Sequence, residues 1–159
     1  EWKDDYRVWM QFVNEYKNLA GCFTTGSDSG FIFQVFGFGL IRELELFQEA
    51  GFNPLEVLRA ATEQGAELLG LEDETGTVDV GKRADLLIHD FNPLEDFKLM
   101  YGTGAWRLND ESGKAQWDRG LRYTICAGMV YDTDELLADV RQMVDDSWQE
   151  ADHDRPPSR

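Results

Sequence analysis

Cations are scarce in this sequence: 15 Lys and Arg stand against 31 Asp and Glu, giving a formal net charge of −16 and an isoelectric point near 4.3. So acidic a surface repels phosphate backbones and anionic lipid, so neither nucleic acid nor a membrane surface is expected as a partner. Long apolar runs are also missing. No stretch approaches the length of a membrane span, and no charged-then-apolar leader opens the chain, which begins Glu1-Trp2-Lys3 without a start methionine. A soluble protein of cytoplasm or periplasm is expected, with nothing to choose between them. Only two cysteines occur, Cys22 and Cys126. They lie far apart within apolar segments, unlike the closely spaced ligands of a metal cluster, so both are expected to be buried small hydrophobes.

What is present fits one domain's worth of chain, 159 residues, large enough for a real core. Apolar residues at Val8, Trp9, Phe12, Val13, Tyr16 and Leu19 recur at helical spacing, which predicts a helix over residues 5–19 with Gly21 as its stop. Residues 22–25 read as a short extended run, closed by the turn-prone Gly26-Ser27-Asp28-Ser29-Gly30. A helix, a strand and a polar loop at the strand's C-terminal end make part of a parallel α/β unit. After an aromatic stretch over residues 31–38, a helix is expected over 40–50 with Leu40, Leu44 and Phe47 inward. Asn53-Pro54-Leu55-Glu56 is a helix start: Asn53 caps, Pro54 takes the first position, and Glu56 completes a capping box. That helix carries Leu55, Leu58 and Ala61, and a further helical turn or two reaches Gly70. Short strands are then expected at 77–78, 84–89, 123–126 and 129–131, with the glycine-punctuated residues 102–120 as a long loop. Asp132 and Glu135 offer a second capping box before a helix bearing Leu136, Leu137, Val140, Met143, Val144 and Trp148, and a polar tail follows from Glu150.

Several strings in a fixed order carry more information than any one alone. Thr-Thr-Gly-Ser-Asp-Ser-Gly (24–30), Arg-Glu-Leu-Glu-Leu (42–46), Glu-Ala-Gly-Phe-Asn-Pro-Leu-Glu-Val-Leu-Arg-Ala-Ala-Thr (49–62), Ala-Glu-Leu-Leu-Gly (66–70), Gly-Thr-Val (76–78), Gly-Lys-Arg-Ala-Asp-Leu-Leu (81–87) and Asn-Pro-Leu-Glu-Asp (92–96) follow one another collinearly. Together they resemble the C-terminal third of the amidohydrolase superfamily, nearest its imidazolonepropionase and prolidase-like group. The likeness runs from about residue 24 to 96 and resumes at 125–131.

This resemblance implies an α/β fold: the last strand–helix part of a (β/α)8 barrel, then the C-terminal share of a small β-sandwich, then a final helix. Residues 1–75 would be barrel, with 22–25 as the eighth strand and the first helix as the seventh barrel helix. Residues 76–132 would be sandwich, with 102–120 as a loop insertion, and 133–159 the closing helix and tail. It also implies a divalent metal, zinc first, and hydrolysis of an amide or cyclic-amide C–N bond in a small-molecule substrate. Asp28 matches the family's aspartate after the eighth strand, a metal ligand that also takes the water's proton and returns it to the leaving nitrogen. Such barrels keep their chemistry at the C-terminal ends of strands, where Asp28 falls. By itself the local string also suits a turn or helix cap; the collinear match favours the catalytic role.

The family's other metal ligands are histidines from earlier strands, and this sequence has only His89 and His153. His89 is expected at a surface or sheet edge and His153 in the tail. The resemblance therefore implies a fragment, inactive alone, whose partner is a missing N-terminal barrel portion. The aromatic stretch 31–38 fits either a substrate-pocket wall or a hydrophobic cap over the barrel end. Gly81-Lys82-Arg83 reads as a turn with exposed cations, and the acidic residues of 134–146 as a solvated helix face. A second class of function stays open: a non-enzymatic interaction module derived from a barrel remnant.

Overall fold

The computed structural model describes residues 1–32 and 34–150. The expected tail with His153, and Phe33 of the aromatic stretch, lie outside the described residues. Helices occupy the first half of the chain: α1 (Trp2–Asn18), α2 (Gly39–Glu49), α3 (Pro54–Ala61) and α4 (Glu63–Leu69). Strands follow: β1 (Leu86–His89), β2 (Ala105–Asn109), β3 (Lys114–Asp118), β4 (Leu121–Cys126) and β5 (Met129–Asp132), with a 3-10 turn at Phe97–Met100 and a closing helix α5 (Thr133–Glu150).

The local signals for α3 hold in detail. Asn53 Oδ1 accepts from the Glu56 backbone N–H at 3.0 Å, and Glu56 accepts from the Asn53 N–H at 2.8 Å, with Pro54 at the first turn. This reciprocal cap satisfies two donors that the helix cannot. α4 ends on Gly70 in the left-handed region, φ 68°, which glycine adopts without Cβ strain. Asp132 caps α5, its carboxylate accepting from Asp134 N–H at 2.8 Å.

The buried faces match expectation in part: Leu44 is buried and Phe47 packs against the core, as read. Ile41 and Leu44 of α2 are buried while Leu40 is exposed, and in α3 Val57 and Ala60 are fully buried while Leu55 is exposed. Ile41, Leu44, Ala50, Phe52, Val57 and Phe97 form one core cluster. Phe23 extends it, its ring 5.1 Å from Phe52 and 5.1 Å from Tyr16, both edge-on. Phe97 is the cluster's fully buried contribution from the strand-rich half, so it ties that half to the helices.

β1, β4 and β5 form an antiparallel sheet in the order β1-β4-β5, and β2 pairs with β3 in a separate hairpin. The hairpin corrects the expectation of a long loop over 102–120. Its glycines mark turns rather than disorder: Gly113, at φ 64°, donates to the Asn109 carbonyl at 2.8 Å and closes the tip. Residues 22–25 and 77–78 are not strands. A strand is defined by its ladder, and 22–25 meets no neighbouring strand among the described residues. Its side chains nevertheless alternate, with Phe23, Thr25, Ser27 and Ser29 half-buried and Cys22, Thr24 and Asp28 exposed, the period of extended chain. Cys22 and Cys126 are both exposed, contrary to expectation: Cys22 lies on the face opposite Phe23, and Cys126 sits at the exposed end of β4, beside the turn to β5.

Val13 and Met10 of α1 pack against the core, but its Trp9–Phe12 side has no cover among the described residues. No residue of α1 is buried, and Trp9 and Phe12 remain 65% and 57% exposed. Exposed aromatic area on this scale drives association, opposed here by the repulsion of a net charge of −16. Alone, the chain is therefore expected to self-associate more strongly as salt screens that repulsion. Size-exclusion chromatography between low and high ionic strength checks this. A monomer at all salt concentrations, with amide protection across 22–25, would show that the face needs no cover.

Candidate active-site loop

The extended run 22–25 delivers the chain to a loop whose geometry is set by side chains from α2. Glu43 on α2 accepts from the Gly26 N–H through both carboxylate oxygens, at 2.9 and 3.0 Å. Ser27 and Ser29 hydroxyls hydrogen-bond to each other at 2.8 Å. They lie against the start of α2, where a Cβ on Gly39 would come within 2.6 Å of Ser29 Oγ. Asp28 sits between them in the left-handed region, φ 48°, a conformation aspartate tolerates better than most residues. Its carbonyl accepts from Phe31 N–H at 3.2 Å. The Asp28 side chain is exposed, presented outward from a loop pinned on both sides.

A cavity of about 960 Å³ opens beside this run, lined among others by Thr24, Thr25, Leu58, Ala66, Asp85 and His89. Asp28 is not part of its wall, and neither are Phe31, Phe36 and Phe38. The structure thus brings Thr24 and Thr25 to the cavity and leaves Asp28 at the next loop. His89 lies on an edge strand of the sheet, one of the two places expected, but it is not fully at the surface. It is half-buried at the end of β1, where pairing with β4 shifts register, and its Nδ1 is buried without a hydrogen-bond partner among the described residues. Burial pushes the imidazole below its usual pKa, partly offset by a bond to the Leu99 backbone.

Asp85, inside the Gly-Lys-Arg-Ala-Asp-Leu string, has a role that sequence reasoning missed. Its Oδ1 accepts from Ala127 N–H at 2.8 Å, across the turn joining β4 to β5. Ala127 sits at φ 50° and Gly128 at φ 82°, the two-residue hairpin turn that suits strand twist. A positive φ costs a non-glycine residue roughly 1–2 kcal/mol, and the carboxylate holds that strained residue in place. No local signal reveals the bond, since its partners stand 42 positions apart. Arg83 pairs with the same carboxylate, while Lys82 reaches the Glu72 carbonyl and Thr77 hydroxyl, each at 2.6 Å, so these cations are engaged rather than free. The Ala127 N–H, then Arg83, hold the Asp85 carboxyl below the usual carboxylate pKa. A lowered folded-state pKa contributes stability that is present above the unfolded value near 4 and lost as pH falls through the folded value. Asp85→Asn should therefore be less stable than wild type at neutral pH, with the gap closing only at strongly acid pH. Unfolding midpoints of both proteins from pH 7 down to pH 2 check this; a gap independent of pH would assign Asp85 no charged role.

A catalytic divalent ion needs several side-chain ligands around it. Among the described residues, no three His, Cys, Asp or Glu side chains converge as such a site. Asp28 supplies one carboxylate, so the residues present do not by themselves fit a bound metal. Nor, among the described residues, is any helix long and apolar enough to cross a membrane.

Comparison with known proteins places this loop in context. A family model described as the Amidohydrolase family matches residues 13–130. Imidazolonepropionase from Thermoplasma acidophilum is 34% identical over 68 residues, 43% of this chain and 17% of that protein. A 5'-deoxyadenosine deaminase from Methanobrevibacter smithii is 42% identical over 53 residues, 33% of this chain and 12% of that protein. The crystal structure of a candidate prolidase from Bifidobacterium longum aligns at a TM-score of 0.57 and 31% identity, over 80% of this chain and 29% of the other. The matches therefore span less than a third of each relative's length.

Proposed function

This chain belongs to the amidohydrolase family, and from that premise we propose that it is the C-terminal share of a metal-dependent hydrolase that cleaves a C–N bond in a small-molecule amide or cyclic amide. The observation that carries the reading is the position of Asp28. It follows an alternating extended run, on a loop anchored to α2, inside the matched residues 13–130. Under this reading residues 1–75 complete a barrel, 76–132 contribute to a sandwich, and 133–159 close the chain. Similarity to a deaminase, an imidazolonepropionase and a candidate prolidase supports C–N bond hydrolysis as the shared chemistry.

A divalent ion, zinc first, would polarise the substrate carbonyl and ease deprotonation of water. One carboxylate does not hold such an ion, so the remaining ligands are assigned to a preceding barrel portion, and that portion is the partner the site requires. What this chain's own residue does follows from its chemistry. The Asp28 carboxylate accepts a proton from the water attacking the carbonyl carbon. The same group, now protonated, donates to the departing nitrogen as the C–N bond breaks, and returns to its starting state. The loop serves this role by holding Asp28 still: Glu43 fixes Gly26 on one side, and the serine pair fixes the other against α2. Turnover of the complete protein with Asp28→Asn tests the reading, because that change keeps the side chain's size and removes its base.

A further inference from the structure

The loop after Asp28 carries aromatic side chains that neither the core nor the large cavity uses. Phe31 and Phe36 are 61% and 74% exposed, and Ile32 and Val35 beside them are exposed too. Exposed aromatics on a mobile tail would mean little, but this segment is tied to Asp28 by consecutive turns. Phe31 N–H donates to the Asp28 carbonyl at 3.2 Å, Gln34 N–H to the Phe31 carbonyl at 3.0 Å, and Gly30 N–H to the Gln34 carbonyl at 2.8 Å. The Phe36 ring folds back over Gly30, where a Cβ would meet it at 2.6 Å. The far end of the segment is anchored separately, by the Phe38 ring 5.3 Å from that of Tyr101. Phe38 is thus the anchor, and Phe31 and Phe36 stay exposed on the turns that follow Asp28.

Charge gives the second observation. Between Asp28 and Arg42 no residue is charged, in a chain where 31 of 159 residues are acidic. An uncharged aromatic surface in so acidic a protein cannot compensate a buried ion, and it desolvates apolar groups without penalty. We propose that Phe31 and Phe36 recognise an apolar side chain flanking the scissile C–N bond, with Phe36 as the main specificity-determining residue. The inference rests on the hydrolase reading of Asp28 and names its substrate class: amides whose amine portion bears an uncharged, bulky apolar group. Gly30 belongs to the same device, since any side chain there would displace the Phe36 ring.

The test uses the complete, metal-loaded protein and five probes: N-acetyl-L-phenylalanine, N-acetyl-L-leucine, N-acetylglycine, N-acetyl-L-aspartate, and dihydrouracil as a cyclic amide with no side chain. The expected result is a kcat/KM for the phenylalanine and leucine compounds at least about tenfold above that for N-acetylglycine, with N-acetyl-L-aspartate the poorest. In Phe36→Ala the phenylalanine-to-glycine ratio falls about tenfold, and in Phe36→Leu it recovers most of its value. A ratio unchanged in Phe36→Ala, however far both rates fall, overturns the inference and makes the ring a cap over the barrel end. A preference for N-acetyl-L-aspartate overturns it as well. Asp28-dependent cleavage of dihydrouracil alone overturns the inference and leaves the hydrolase reading standing; no cleavage of any probe overturns both.

Discussion

Replacing Asp28 by asparagine in the complete protein is expected to lower kcat by on the order of a hundredfold or more, with a smaller change in KM. The amide keeps the size and much of the hydrogen-bonding capacity of the carboxylate, so the loop should keep its shape. Two features support that. The φ of 48° at this position is one that asparagine also tolerates, and the loop's anchors are the Gly26–Glu43 bonds and the Ser27–Ser29 pair, none of which uses the Asp28 side chain. What asparagine lacks is a basic site for the water's proton and an acid to return it to nitrogen. Steady-state kinetics on any hydrolysed amide, with the pH profile recorded for both proteins, separates this from a binding defect. Near-normal turnover in the variant would make Asp28 a turn residue and place the proton-transfer role on another group.

The second large effect falls on stability rather than chemistry. Phe97→Ala is expected to cost about 3–5 kcal/mol, the usual range for emptying a fully buried phenylalanine site. Phe97 is 1% exposed and packs in the cluster with Ile41, Leu44 and Val57, the point where the strand-rich half meets the helices. Its loss should therefore be felt in both halves: amide exchange across α2 and the 97–100 turn should accelerate on the order of a hundredfold or more. Val80→Ala is the matched control, since Val80 is fully exposed at 101% and should change stability by no more than about 0.5 kcal/mol. Equal effects of the two substitutions would mean that Phe97 does not join the halves.

Much of the local structure was legible because its causes lie within a few residues. The Asn53-Pro54-Leu55-Glu56 start, the Gly70 stop and the Asp132 cap each depend on groups no more than about four positions apart; the first two are present as read, and Asp132 caps α5 by accepting from the Asp134 and Glu135 N–H groups. The strands at 86–89, 121–126 and 129–132 were legible to within two residues, as segments 84–89, 123–126 and 129–131 set between glycine turns. The β2–β3 hairpin was hidden because its glycines and polar residues resemble a loop. Its pairing shows only in the inward alternation of Arg107, Asn109, Gln116 and Asp118, with Trp106 opposite Trp117 outside. The resemblance to the amidohydrolases was legible from strings in order, and the family match bears it out. The role expected of Asp28 followed from that resemblance and not from its spacing.

The sequence by itself determined the helix ends, the turn positions, the β1-, β4- and β5-forming segments and the family, since these follow from short-range chemistry and from ordered motifs. Tertiary structure alone decided which faces are buried. Val57 and Ala60 rather than Leu55 face the core, because α2 and Phe97 approach α3 from that side. It alone showed His89 half-buried with an Nδ1 unpartnered among the described residues, and Asp85 holding Ala127 across the sheet. It also showed that, among the described residues, 22–25 lack a strand neighbour and Trp9 and Phe12 of α1 lack cover. The physical reason is one of range: caps and turns are settled by hydrogen bonds within a single turn of chain. Burial and ladder pairing depend on surfaces brought together from tens of residues away, which a one-dimensional pattern does not specify.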